Sequence, residues 1–185
     1  MLTKLKQATE DLHREIEKDN LATLIISNKI SVEEYKLLLL QNYISYAVTE
    51  SSIAKYLANY EIHKTPRLLR DLEYLGVKYS ITLRVRETLR IVNQAEDLGA
   101  AYVVEGSAVD GMVIAKEIKN CQALDVIKDH HFFNGNRKNV KSWNTFSKFL
   151  KEQEFTSLEE IHAIDKAKET FLFFGEVFKT TKLPD

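Results

Sequence analysis

An all-α fold is predicted by three observations on this chain of 185 residues. Prolines are confined to Pro66 and Pro184 and there are only six glycines, so few positions interrupt a helix. Long stretches are rich in strong helix formers and show no alternating strand pattern. Pairs of Ser or Thr with Glu three residues on mark helix starts. The first helix runs from about Leu2 to Lys18, where Leu2, Leu5, Leu12 and Ile16 fall close to one stripe with Thr9 and His13 beside it. A short helix follows near Leu21–Ser27. Ser31-Val32-Glu33-Glu34 is a capping box that opens a long helix to about Ala58. Thr65-Pro66 reads as an N-cap followed by Pro at the first helical position, and Gly76 as the residue that closes that helix. Another helix lies around Thr82–Ile91, and a long one spans about Gln94–Lys119. Ala123–Lys128 is a short turn, and His130–Asn139 is a loop centred on Asn134-Gly135-Asn136. Val140–Gln153 is amphipathic, and Ser157-Leu158-Glu159-Glu160 repeats the capping-box pattern and starts a final helix to about Lys179. With no repeat, low-complexity tract or flexible linker, residues 1–185 are predicted to form one domain.

Composition narrows the function classes. The 26 Lys and Arg against 27 Asp and Glu give a net charge of −1, without the basic excess of a nucleic-acid binder. Cys121 is the sole cysteine, which excludes an internal disulfide and disfavours a cysteine-based zinc site. The N-terminus has no apolar stretch of signal-peptide length, and runs such as Leu37–Leu40 are too short to cross a bilayer. A soluble cytoplasmic protein with no membrane or nucleic-acid partner is expected.

Two segments carry the chemistry. His13, at the edge of the first helix's apolar stripe, admits two readings: a core-edge histidine satisfied by a neighbouring carbonyl or carboxylate, or a ligand to a metal or heme iron. Taken alone, the helix favours the first. Glu17, four residues on, is within reach of the far ring nitrogen and would fix the tautomer. Lys6 lies two turns earlier on the same side, either solvated or facing an acidic group of a ligand. His130 and His131 are adjacent in a loop and point apart, which disfavours one shared metal.

The second segment is Tyr102-Val103-Val104-Glu105-Gly106-Ser107-Ala108-Val109-Asp110-Gly111. An interior glycine costs a helix about 0.5–1 kcal/mol relative to alanine, so two of them suggest something flat lying close to the backbone. Close helix–helix packing is the competing explanation. Against it, Asp110 lies one turn from Gly106, and a carboxylate in a dry helix contact would need a partner. Tyr102 faces the same cavity in this reading, whereas Glu105 points away into solvent. A histidine on one helix and a glycine-thinned helix elsewhere are what a sandwiched, iron-bearing macrocycle needs.

These segments resemble the heme oxygenases, in particular the bacterial biliverdin-producing branch. Lys6, Thr9, His13 and Glu17 are similar to that family's proximal helix, Tyr46 to a tyrosine of its distal water network, and Leu98 through Ser107 to its distal helix. Phe133 through Phe146 resembles its Phe-rich loop and Trp-x-x-Phe helix, and Ala167 through Phe171 its last helix. The resemblance implies an all-α fold with heme between the N-terminal helix and the glycine-containing helix. It implies His13 as iron ligand, Lys6 and Lys148 as propionate partners, and Glu17, Tyr102, Gly106, Gly111 and Phe171 as heme-pocket residues. Heme would be substrate and cofactor, with electrons from an external reductase or ferredoxin. Gly106 would shape the oxygen site, and Ser107, Asp110 or Tyr46 would hold the water that delivers a proton.

The chain departs from the pattern in three places. Asp110 stands where the family has a second glycine, Ser107 where the animal enzymes have an Asp, and Phe174 where animal relatives have an Asn. Asp110 either takes over the organisation of water or crowds the distal face. A heme carrier or sensor without turnover is therefore the alternative. A pocket for another ligand, such as a pyrimidine or a di-iron centre, is a third reading. For the di-iron centre only Glu10–His13 and Glu159–His162 have the required spacing.

Overall fold

The computed structural model describes residues 1–18, 20–57 and 60–184. Among these residues there are nine α-helices, two 3-10 turns and no strand. The helices are α1 (Leu2–Lys18), α2 (Ala22–Ile26), α3 (Val32–Ile53), α4 (Thr65–Tyr74), α5 (Leu83–Thr88), α6 (Gln94–Gly106), α7 (Ala108–Glu117), α8 (Arg137–Glu152) and α9 (Ser157–Thr180). The 3-10 turns, Ile118–Asn120 and Gln122–Leu124, follow α7.

The central helices are α3, α6 and α9. On α3, Tyr35, Leu38, Leu40, Tyr43, Ser45 and Val48 point in different directions and are all buried, so burial wraps round the cylinder, as it must for a helix enclosed by others. The amphipathic α1 buries Leu5 and Thr9 and lies along α9. Approach of α6 to α9 depends on Gly99, where a Cβ would sit 2.1 Å from the Ala163 carbonyl oxygen. Small residues thus do serve helix packing in this segment, at Gly99 rather than at Gly106 or Gly111.

A buried carboxylate joins α3 to α4. Glu50 is fully buried and accepts from the backbone N–H groups of His63 and Lys64 at 3.0 Å and of Thr65 at 2.8 Å. It therefore caps α4 from outside the helix, where orphan N–H groups and the helix dipole both favour negative charge. Thr65 is not the N-cap: its hydroxyl donates to Glu50 at 2.6 Å, and Lys64 occupies the cap position. At the other end of α4, Gly76 has φ +65°, with Val77 N–H bonded to Leu72 O and Gly76 N–H to Glu73 O, a complete Schellman motif.

Other expectations need adjusting. The Ser31 capping box forms, but α3 ends at Ile53; Ala58 lies outside the described residues. The last helix is capped by Thr156 with Glu159, one residue earlier than expected, because Thr156 adopts the extended conformation and accepts from Glu159 N–H. The stretch Gln94–Lys119 is not one helix but breaks at Ser107 into α6 and α7. The span Gln94–Asn120 is apolar and long enough by composition to cross a membrane, which inspection of short apolar runs missed. It is interrupted at Ser107, and half of its most apolar window is buried inside the protein.

Candidate functional site

Between α1 and the α6–α7 break lies a cavity of about 800 Å³, within the range of cofactor sites. Lys6, His13 and Glu17 line it from α1. Tyr102, Gly106, Ser107, Asp110 and Gly111 line it from α6, α7 and the break between them, and Tyr46, Phe171 and Phe174 add aromatic lining from α3 and α9. Lys148 is not among them: it projects from α8, its side chain 77% exposed, and lies 3.8 Å from Glu152.

His13 is half-exposed at this cavity and faces carboxylates on both sides. Its Nδ1 lies 3.5 Å from Glu17 Oε1, and its Nε2 lies 3.7 Å from Asp110 Oδ2 across the gap. The Phe171 ring meets the imidazole edge-on at 5.6 Å. Asp110 raises the imidazole pKa, partial burial opposes this, and Glu17 adds to the rise. Asp110 thus has a partner, which the reading of a carboxylate beside water did not include. Among the described residues, His13, Glu17 and Asp110 are the one group of histidine and carboxylates with ligand atoms within 4.8 Å of one another. The paired Glu-x-x-His arrangement does not assemble, because Glu10 is bonded to Arg14 and Glu159 caps α9.

The glycines opposite His13 leave room. A Cβ on Gly106 would meet only Trp143, at 3.8 Å, and one on Gly111 would meet nothing within 4 Å. No neighbouring helix requires these two positions to be small. Phe132 and Phe133 also line the cavity, on a loop that Asp71 fixes by accepting the backbone N–H groups of His131 at 2.7 Å and Phe132 at 2.8 Å. His130 turns the other way, its Nδ1 2.7 Å from the Tyr35 hydroxyl.

A charged network backs the α6–α7 break. The Lys64 ammonium donates to the Val104 carbonyl and to Ser107 Oγ, and lies 4.8 Å from the centre of the Tyr46 ring. Tyr46 donates to Ser107 Oγ at 2.8 Å, and Ser107 donates to Val104 O at 2.9 Å. Burial pushes the Lys64 pKa down to about 8, while Glu105 and Glu50 hold it up. Burial likewise raises the Tyr46 hydroxyl pKa far above its usual value, with the Ser107 bond opposing. Glu105 does not reach solvent: it is 6% exposed, accepts from the Tyr60 hydroxyl at 3.3 Å and lies 3.9 Å from His63 Nε2. It does point away from the cavity, but into this buried cluster. Sequence reasoning missed His63 and Lys64, since a polar run before a helix reads as a solvated loop.

A flat, apolar, anionic ligand with a nitrogen-seeking metal suits this cavity. Aromatic side chains line the interior, an imidazole faces two glycines, and Lys6, Arg14 and Arg67 add cationic side chains to the lining. The heme oxygenase family profile matches residues 1–180, so the chain belongs to the heme oxygenase family. Three solved bacterial structures share the fold. A heme oxygenase-1 from the cyanobacterium Synechocystis, solved in complex with heme, superposes with TM-score 0.73 at 16% identity over 96% of this chain and 90% of that one. The heme oxygenase of Neisseria meningitidis, solved with NO and CO bound, gives 0.71 at 22% identity over 96% and 89%. That of Leptospira interrogans gives 0.74 at 17% identity over 97% and 98%. A search of curated protein sequences finds no match.

Proposed function

We propose that this protein is a cytoplasmic heme oxygenase, one domain over residues 1–185, that opens heme to biliverdin, iron and carbon monoxide. Oxygen and electrons from an external reductase or ferredoxin drive the reaction. The observation that carries this reading is the cavity of about 800 Å³ lined by His13 together with Gly106 and Gly111, positions that no helix packing requires to be small. Bound heme supplies both the iron that activates oxygen and the ring that is opened.

The protein's part is positioning. His13 offers Nε2 to the iron, and Glu17, near Nδ1, holds the imidazole in the tautomer that leaves Nε2 free. Phe171 fixes the plane of the ring. Lys6 offers an ammonium to a carboxylate of the macrocycle. Gly106 and Gly111 allow close approach of the opposite face, and Tyr102 with Trp143 excludes water from one side. For a flat ring to lie between the walls, the His13–Asp110 pair must part, which frees Nε2.

One observation favours a second reading, binding without turnover: Asp110 faces His13 Nε2 and is placed to obstruct the side on which oxygen would bind. Titration of the purified protein with hemin, followed by reductant and oxygen, separates the two. A Soret band that is lost in His13→Ala, and that converts to the biliverdin spectrum, is the expected outcome. A Soret band that persists under reductant and oxygen, and converts only in Asp110→Gly, selects the second reading. Absence of a Soret band overturns both.

A further inference from the structure

Ser107 cannot be the group that holds a ligand or water at the α6–α7 wall. A serine hydroxyl has one donor and two lone pairs. Here the hydrogen goes to Val104 O, and the lone pairs accept from Tyr46 and Lys64. Tyr46 has its hydroxyl hydrogen on Ser107 and lies beside a cation, so it is not a ready donor either. Lys64 differs. An ammonium carries three N–H groups, and two are used, on Val104 O and Ser107 Oγ. No carboxylate lies within ion-pair distance among the described residues, although Glu50 and Glu105 are near enough to keep the side chain charged at neutral pH. The residue is 6% exposed and lines the cavity. Burial of a lone ammonium is costly, and a surface role would not require it.

We infer that Lys64 is the cationic hydrogen-bond donor of this wall, offering its third N–H to an anionic or oxygen ligand bound on the side of the cavity opposite His13. The inference rests on the heme-binding reading. Its source is local: the Glu50 cap fixes the backbone at Lys64, and the break at Ser107 supplies the two acceptors that orient the ammonium. A charged donor in a dry site strengthens an interaction with a bound anion far more than one with a neutral ligand.

Fluoride binding to the hemin complex tests this, with carbon monoxide binding to the reduced complex as the neutral control. Lys64→Met is expected to weaken fluoride at least tenfold, to change carbon monoxide less than threefold, and to leave the Soret band in place. Lys64→Arg, which keeps the charge, is expected to recover fluoride affinity to within threefold of the parent. Far-UV circular dichroism checks the fold. If Lys64→Met does not fold, Lys64→Gln, which keeps N–H donors for Val104 and Ser107 without the charge, is read in its place. A fluoride change under twofold, or equal weakening of both ligands, overturns the assignment while the Soret band leaves heme binding intact. Failure of the parent protein to form a Soret band overturns the heme reading and this inference with it.

Discussion

Asp97, in the first turn of α6, is fully buried, and neither of its carboxylate oxygens has a hydrogen-bond partner among the described residues. Desolvation, with Glu96 adding, raises its pKa from 3.8 to about 7. The sign of the consequence is fixed. Between about pH 4 and pH 7 an unfolded chain has lost the Asp97 proton that the folded protein keeps, so this residue's contribution to stability is most favourable below about pH 4, declines as pH rises to 7 and levels off above it. Asp97→Asn is expected to flatten this slope. Its gain over the parent should grow with pH and reach on the order of 3 kcal/mol by pH 8, measured by urea unfolding at pH 4.5 and pH 8. A difference that stays constant with pH would refute the account. Nothing in the sequence marks this residue, because an acidic side chain in a first turn reads as a partner of the helix dipole. His13 and Asp110 were legible as cavity residues, but their pairing was not, since it joins segments about a hundred positions apart.

For the elements, sequence pattern and structure agree where the signal is local. The clean stripe of α1 gives its limits, Leu2–Lys18, and the Ser31 box gives the start of α3. Disagreement arises where the signal is degenerate or distant. Thr156 and Ser157 each have a Glu three residues on, so two capping boxes compete in the same string. The break at Ser107 is set by Lys64 and Tyr46, which reach it from other parts of the chain and leave no trace in its own periodicity. Gly99 is the most constrained glycine, yet its neighbours Ala100 and Ala101 make it look like one more small residue. Gly99→Ala should force α6 away from α9 and cost about 1–3 kcal/mol or more, a loss readable as a fall in melting temperature. The same substitution at Gly111, where nothing lies within 4 Å, should leave the heme-free protein's melting temperature unchanged or raised.

Taken whole, the molecule has one firmly seated wall and one lightly seated wall around its cavity. α6 is buried against α3 and α9, whereas α7 buries only Ala108 and Ala115 and leaves Val109 and Val113 half exposed. Amide hydrogen exchange in the heme-free protein should therefore run faster in α7 than in α6 or α9, and hemin should slow α1 and α7 together. Exchange in α7 as slow as in α9 would count against this division. The Glu50 clamp has a different bearing. By fixing the chain at His63, Lys64 and Thr65, it stations a positive charge behind Ser107 as part of folding itself. The interior is thus polarised before any ligand enters. Negative charge developing there in the proposed reaction would meet dipoles already aligned, with no solvent having to reorient to receive it.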